Sequence, residues 1–592
     1  MKLNKILSIT AGILLAFGAT SCSEYYLELK PEGTLDYEEV IVDNEEGATL
    51  AIYGICQSMY KQYSSLSTSS SWFNGEPFVA LYYGDVVGQD YVSAFWFDDD
   101  NLMLWQSMDR TTSAGSSYAW GYYYGLISQA NNIISFAPKK TNEAGEVLTD
   151  AEYNGNPVPD VEGTYAFRYA QALTLRAHSY TRLLQIYCSR YEDMWDNEKG
   201  QYQNTVPLRL EYESPQGNLT KPLAKWDVLV RQIYADLEQA IALYNEAGID
   251  RTYIWEPNLP VAQGLLARVA MINQDWKTAM EMARAARAKF PLMSMEEYQA
   301  GFAEPNGEWM WASDDASQGL YYYSFGATYA CNGAYPCAWG TIGAGAISND
   351  LIKQAINLDQ RAVLFYSPRN VSSDIRSRFW GSECNSDNMD INFSQGALHR
   401  DFVRYCGIRM RTVNSTWAPP YTYTGYPYTE SGVYTTCTAL FGAQFKFWGT
   451  DNYSASSFPY MRGAEMYLIE AEAAYMDNNP TLANELLTEL NEQRIRNYDE
   501  EFVGEEILEQ IKLSKRLELW GEGFSWFDLK RWNEPIKRNA WVRNNSSSGN
   551  WPLRVAIDYP ASYNRGWRWR IPTVELNYND AIDRTEAETS DR

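Results

Sequence analysis

Enzymatic chemistry needs nucleophiles, proton carriers or metal ligands at workable spacing, and this chain of 592 residues is poor in such patterns. It has 2 His. His178 lies among Leu175, Leu183 and Leu184 on a helical pattern and reads as a structural residue, while His399, in His399-Arg400-Asp401, stands alone. No HExxH, GxSxG or Walker A run occurs, and Gly343-Ala344-Gly345 lacks the third glycine of a dinucleotide loop. Two carboxylates flanking a sugar could hydrolyse a glycosidic bond. With 75 Asp+Glu, however, accidental pairs are common. Asp98-Asp99-Asp100-Asn101 offers oxygen ligands for a structural Ca2+, but without the spacing of a dedicated calcium loop. No other cofactor is expected.

The residues that do stand out are aromatic. The chain holds 21 Trp, 45 Tyr and 21 Phe, 15% of its length, more than a core of this size requires. They concentrate in polar, glycine-rich stretches, with Trp309, Trp311, Tyr321, Tyr335, Trp339, Trp417, Tyr421 and Trp448 all between 300 and 455. A flat ring beside Asn, Asp or Arg suits a pyranose, whose C–H face packs on the ring while its hydroxyls take hydrogen bonds. The same surface suits other amphipathic ligands, peptides included. Most of these rings are nonetheless expected to pack beneath long loops.

The elements that must hold such loops read as helices. Apolar spacing of three and four predicts a first helix from Ala48 through Ile52, Ile55 and Met59, and another through Trp120, Tyr124, Ile127 and Ile134. Residues 165–188 carry Phe167, Ala170, Thr174, Ala177, Thr181 and Leu184 on one face, and 226–246 answer with Ile233, Leu237, Ala240 and Leu243. Pro260 opens a helix with Leu265, Leu266 and Val269; a short turn and Trp276 begin a second, lined by Ala279, Ala283 and Ala286. Helix, turn and helix in about 30 residues resemble a tetratricopeptide unit. A further pair spans 461–477 and 480–496, followed by one helix over 506–532. The expected organisation is a single domain over 46–592. Its helical frame covers 46–60, 118–299 and 456–540, with a loop-rich ligand region over 61–117 and 300–455 and C-terminal loops over 541–592.

The first 21 residues read as a targeting segment: Lys2 and Lys5, an apolar run from Ile6 to Phe17 too short to span a bilayer, then Ala19-Thr20-Ser21 before Cys22. Small residues ending in Cys resemble a bacterial lipoprotein signal. Cleavage would leave a lipidated Cys22 at the head of a polar tether, 22–45. Loss of Lys2 and Lys5 moves the formal charge from −26 to −28. A chain this acidic repels nucleic acid, whose binding needs clustered cations. Seven other Cys remain without a CxxC pair, so a zinc site of that type is not expected; Cys331 and Cys337 could close a small loop or stay reduced.

In the C-terminal third, the run Arg516-Leu517-Glu518-Leu519-Trp520-Gly521-Glu522-Gly523-Phe524-Ser525-Trp526-Phe527-Asp528-Leu529-Lys530-Arg531-Trp532 resembles the signature of the SusD/RagB family, outer-membrane lipoproteins of Bacteroidetes. Ile571-Pro572-Thr573-Val574-Glu575-Leu576-Asn577 resembles the family's closing motif, and Arg462-Gly463-Ala464-Glu465 through Ala473 one of its helices. Leu265 to Val269 followed by Asp275-Trp276 resembles its helix pair. Lys515 and Ser525 depart from the pattern, standing where Glu and Arg or His are common. Glu518, Glu522, Asp528 and Arg531 are expected to cap and pair helices rather than to meet ligand.

The resemblance implies a mainly α fold, with tetratricopeptide-like helix pairs forming a SusD-type superhelical frame and a loop-rich, aromatic-rich subdomain. It implies a lipid-anchored protein on the outer membrane, facing the cell exterior. Such a protein captures a nutrient, usually an oligosaccharide, and delivers it to a SusC-like TonB-dependent porin without doing chemistry. By the family's use of an early and a central loop region, the ligand residues would be Trp72, Trp96 and Trp105 with Asp98 and Asn101, then Tyr321, Tyr335 and Trp339 with Asn332. A peptide ligand in the same role is the main alternative. A secreted glycoside hydrolase and a scaffold binding only proteins are the others.

Overall fold

The computed structural model describes residues 45–60, 74–92, 100–212, 220–298, 302, 304–313, 346–356, 358–362, 365, 446–447, 457–540, 549, 551, 553–563 and 567–584; for 100, 101, 346 and four strands between 409 and 440 it describes the backbone alone. The helices, in chain order, are α1 (Glu45–Tyr60), α2 (Gly75–Val79, running on into a π-helical turn Ala80–Asp85), α3 (Asp100–Met103), α4 (Ala114–Phe136) and α5 (Gly163–Tyr187). Next come α6 (Trp226–Ala247), α7 (Leu259–Ile272), α8 (Trp276–Arg287), α9 (Met295–Tyr298) and α10 (Asn349–Ile352). The last five are α11 (Gly463–Met476), α12 (Pro480–Arg494), α13 (Glu505–Glu518), α14 (Ser525–Arg531) and α15 (Thr573–Tyr578). The fold is mainly α.

Local chemistry accounts for most boundaries. Ser113, Asn258, Asp275 and Asn479 each cap a helix by accepting a hydrogen bond from a backbone N–H of the first turn. Pro260 and Pro480 occupy first-turn positions, where a missing N–H costs nothing. Gly248 ends α6 in the left-handed conformation, φ 62°. Two boundaries differ from expectation. The Ser113 cap starts α4 at Ala114, so part of 61–117 is helical. The predicted helix 506–532 is two, α13 and α14, parted by Gly521 and Gly523 at φ 80° and 87°.

The helices pack in sequence: α4 on α5, α5 on α6, α7 on α8, α8 on α11 and α11 on α12. Each stripe read from spacing is inside. Phe167, Ala170, Thr174, Ala177, Thr181 and Leu184 of α5 are all buried, as are Ala279, Ala283 and Ala286, whose small side chains let α8 approach α7 closely. Helix α11 is buried nearly all round. Strands are short and antiparallel. Tyr91–Val92 (β1) pairs Ala346–Ile347 (β9), and Trp309–Ser313 (β8) pairs Phe458–Arg462 (β14), with Phe458 opposite Ser313 and Arg462 opposite Trp309. Five smaller ladders decorate the frame: β2 (Thr149–Asp150) with β3 (Asn156–Pro157), β4 (Trp195–Asp196) with β5 (Gln201–Tyr202), β6 (Asn204–Pro207) with β7 (Leu223–Lys225), β10 to β13 (Arg409–Val413, Thr422–Thr429, Gly432–Val433, Cys437–Leu440), and β15 (Ile536–Lys537) with β16 (Asp558–Tyr559). Among the described residues, no helix is long and apolar enough to cross a membrane.

Candidate functional site

Of the predicted ligand residues, Trp72, Trp96, Asp98, Tyr321, Asn332, Tyr335 and Trp339 lie outside the described residues, as does Cys22. Asn101 is in α3, with its backbone alone described. Trp105 is fully described and does not present a ring to solvent. It is 1% exposed, its indole N–H donates to the Val87 carbonyl at 2.9 Å, and its ring is packed by Tyr559, Tyr563 and Trp567 at 5.0–6.1 Å. Its backbone is left-handed, φ 64°, a costly state for a bulky residue that this packing holds in place. Trp309 and Trp311 are likewise buried, in β8 rather than in an open loop. His178 is buried against Glu76 at 3.1 Å and the edge of Trp311; burial, above all, lowers its pKa, as a structural imidazole requires.

What the described residues do define is where the aromatic-dense segments leave the frame, and what grips them there. Segment 61–73 begins after Tyr60 and ends at Asn74, whose side chain bonds Tyr118 and the Ser58 carbonyl. Segment 93–99 begins after β1. The residue before that strand, Asp90, is held by Arg516 (3.0 Å, Nε to Oδ2), by the Ser525 hydroxyl (3.1 Å) and, through its carbonyl, by the Trp520 indole (2.9 Å). Trp520 also stacks on Tyr91 at 5.4 Å and meets Phe365 at 4.9 Å. Segment 314–345 runs from β8 to β9, and β8 is tied to β14, whose first residue follows segment 448–456.

A buried ionic cluster lies beside the β8 and β14 returns. Arg462 reaches Glu308 at 2.6 Å, Glu518 at 2.9 Å and Glu522 at 2.8 Å. Arg494 and Arg361 hold Glu518 at 3.0 and 3.2 Å, Arg361 also holds Asp359 at 2.7 Å, and Lys446 holds Glu522 at 2.6 Å. Four cations thus face four carboxylates, the balance that a buried network needs. Burial alone would raise the Glu518 pKa; Arg494, Arg462 and Arg361 instead hold it well below the usual carboxylate range. Lys446 goes the other way: burial outweighs Glu522 and pushes it down to about 8. Beside them, Lys515 meets Asp528 at 2.9 Å, and Arg531 ties Asp528 to Glu472. The charged residues of the signature run are thus engaged in ion pairs within the frame. Of the two departures from pattern, Lys515 pairs with Asp528 and Ser525 supplies a hydroxyl to Asp90.

Sequence reasoning missed one aromatic group beside these roots. Tyr253 and Trp255 stack at 4.8 Å and 7°, with Tyr53 edge-on to both and Tyr60 at 6.3 Å from Trp255. The Tyr-x-Trp alternation in a polar connection was the available signal. Among the described residues, no cluster of His, Cys, Asp or Glu could hold a metal ion. Cys56 and Cys188 are buried free thiols, while Cys331 and Cys337 lie outside the described residues.

Residues 407–586 match the model of the SusD family. A search of curated proteins finds no match. Among solved structures, the chain is similar to a SusD-like carbohydrate binding protein of Bacteroides vulgatus ATCC 8482, with 18% identity, 91% of this chain and 97% of that one covered, and a TM-score of 0.64. A SusD superfamily protein of Bacteroides thetaiotaomicron VPI-5482 (18%, 91% and 99%, 0.58) and one of Bacteroides fragilis (17%, 92% and 100%, 0.58) are similar over the same extent. At these identities the likeness is one of fold.

Proposed function

We propose that this chain is a cell-surface glycan-binding lipoprotein of the SusD/RagB type, a reading supported by the match of residues 407–586 to the SusD family and by its fold. It captures an oligosaccharide at its loop-rich end and passes it to a SusC-like TonB-dependent transporter, anchored to the outer membrane through lipidated Cys22. It performs no catalysis. The observation that carries the reading is the gathering of loop roots. Segments 93–99 and 314–345, which carry predicted ligand aromatics, adjoin strands that the Asp90 anchor and the buried network hold to the helical frame, and 61–73 ends at Asn74, which Tyr118 of α4 holds. A rigid frame under aromatic loops suits capture of a ligand with flat, weakly polar faces. The carbohydrate-binding description of the similar B. vulgatus structure supports the choice of glycan over peptide.

The test is calorimetry of the mature chain against malto-, cello-, xylo- and mannohexaose and a set of mixed peptides, with a reducing-sugar assay alongside. Binding of one hexasaccharide with no new reducing ends is expected. Binding confined to peptides would replace the glycan reading, and released reducing ends would make the protein a hydrolase.

A further inference from the structure

We propose that Tyr253 and Trp255 form a stacking platform for a pyranose ring, an outer subsite on the helical side of the glycan site; the inference rests on the glycan reading above. Both residues sit in the connection 248–258 between α6 and α7, part of the frame rather than of the aromatic loops. Tyr253 is 44% exposed although it is packed face to face on Trp255, so a large ring surface is presented to water. Trp255 is half-buried against the core, but the exposed Tyr253 ring stacked on it is poorly explained by core packing, since the apolar area it could bury stays wet.

The platform is built rather than incidental. Glu256, fully buried, accepts from Arg168, from Gln171 at 3.2 Å and from the Tyr253 backbone N–H at 3.1 Å. Arg251 donates to the carbonyls of Ile254 and Glu256 at 3.1 Å each, and Asn258 donates to Asp250 at 2.8 Å. From the other side, β8 reaches in: the Trp311 indole donates to the Trp255 carbonyl at 2.9 Å and the Ala312 N–H to that of Ile254 at 3.4 Å. Tyr53, under the Arg168 guanidinium at 5.2 Å, braces both rings edge-on. Fixing the backbone of a surface connection from three elements removes the ordering cost that a ligand would otherwise meet.

Position selects the ligand. Tyr60, the last residue before segment 61–73, lies 6.3 Å from Trp255, and Ser313, the last before 314–345, follows the β8 residues bonded to this connection. The platform therefore borders the roots of two segments that carry the predicted ligand aromatics. Thr252 and Asp250, both exposed, flank the rings with hydroxyl and carboxylate groups for sugar hydroxyls. A bound chain long enough to leave those loops would meet Tyr253.

The experiment uses the mature chain, with affinities for malto-, cello-, xylo- and mannohexaose and the matching disaccharides read by calorimetry. Tyr253→Ala is expected to weaken the hexasaccharide that binds by about tenfold while leaving its disaccharide within twofold. Tyr253→Phe, which keeps the ring, should restore the affinity, and Tyr578→Ala, an exposed ring on α15, should leave it unchanged. An unchanged hexasaccharide affinity in Tyr253→Ala overturns the platform and leaves the glycan reading intact. Failure of the unaltered chain to bind any of the four sugars overturns both.

Discussion

Lys530 is sensitive to pH near neutrality, although it is hidden from solvent. Its ammonium donates to the carbonyls of Gln185 and Cys188 and lies 5.0 Å from the Trp526 ring, without a carboxylate at contact. Burial, with help from Arg568 and Arg190, pushes its pKa down from 10.5 to about 7. Between those values, the unfolded chain keeps a proton that the folded chain has released, so raising the pH through that window favours folding. The unfolding free energy of the natural chain minus that of Lys530→Met, read from urea unfolding, should therefore rise from pH 7 towards pH 10, by up to about 1.4 kcal/mol per unit. A gap that stays flat would mean that Lys530 keeps its charge inside. Spacing placed Lys530 on a helix within a recognisable run, but its environment comes from α5, more than 340 residues away in sequence. His178 is the contrary case, since its leucine neighbours on one helix already marked it as structural.

The element that sequence periodicity misread is the one where backbone meets backbone. Gly84, in the π-helical turn after α2, approaches Gly523 so closely that a Cβ on either has no room. One on Gly84 would lie 2.3 Å from the Gly523 carbonyl oxygen, and one on Gly523 would lie 2.6 Å from the Cα and Cβ of Ala80. Gly523 also sits at φ 87°, where a side chain is strained whatever the space. Replacing Gly523 with Ala should cost about 2–4 kcal/mol, combining backbone strain with overpacking. Thermal unfolding followed by circular dichroism would read this as a clear loss of Tm, and an unchanged Tm would mean that α13 and α14 can part without harm. Both helices bury apolar residues, Ile507, Ile511 and Leu517 in α13 and Trp526, Phe527 and Leu529 in α14. Period alone cannot see a turn between two such helices, although the two glycines were a signal.

At the scale of the whole molecule, charge and scaffold decide what can bind. The chain carries a formal charge of −26, and cleavage before Cys22, as proposed, would take it to −28 by removing Lys2 and Lys5. For a neutral glycan held by rings and hydrogen bonds, affinity should change less than twofold between 50 and 500 mM NaCl, since little of the binding is long-range Coulomb attraction. A steep fall with salt, measured by calorimetry, would instead indicate a concentrated cationic patch and an anionic ligand. The frame that carries the loops is stiff where it needs to be, because its cations and carboxylates are spent on one another.

The sequence by itself determined the helical frame, its paired arrangement and the family signature, because helical period, caps and glycine or proline placement act over a few residues. It also determined the lack of familiar catalytic motifs and the wealth of aromatics. Only the tertiary structure decided what those residues do. Trp105 passed from ligand candidate to packed core because Tyr559, Tyr563 and Trp567, over 450 residues along, close around it. Glu518 and Glu522 were expected to be structural, but their partners Arg462, Arg361 and Lys446 come from segments that only the fold brings near. Tyr253 and Trp255 became a platform because Glu256, Arg168 and β8 hold their connection open to water. Burial and ion pairing are set by which segments meet in space, and local spacing carries almost no record of that.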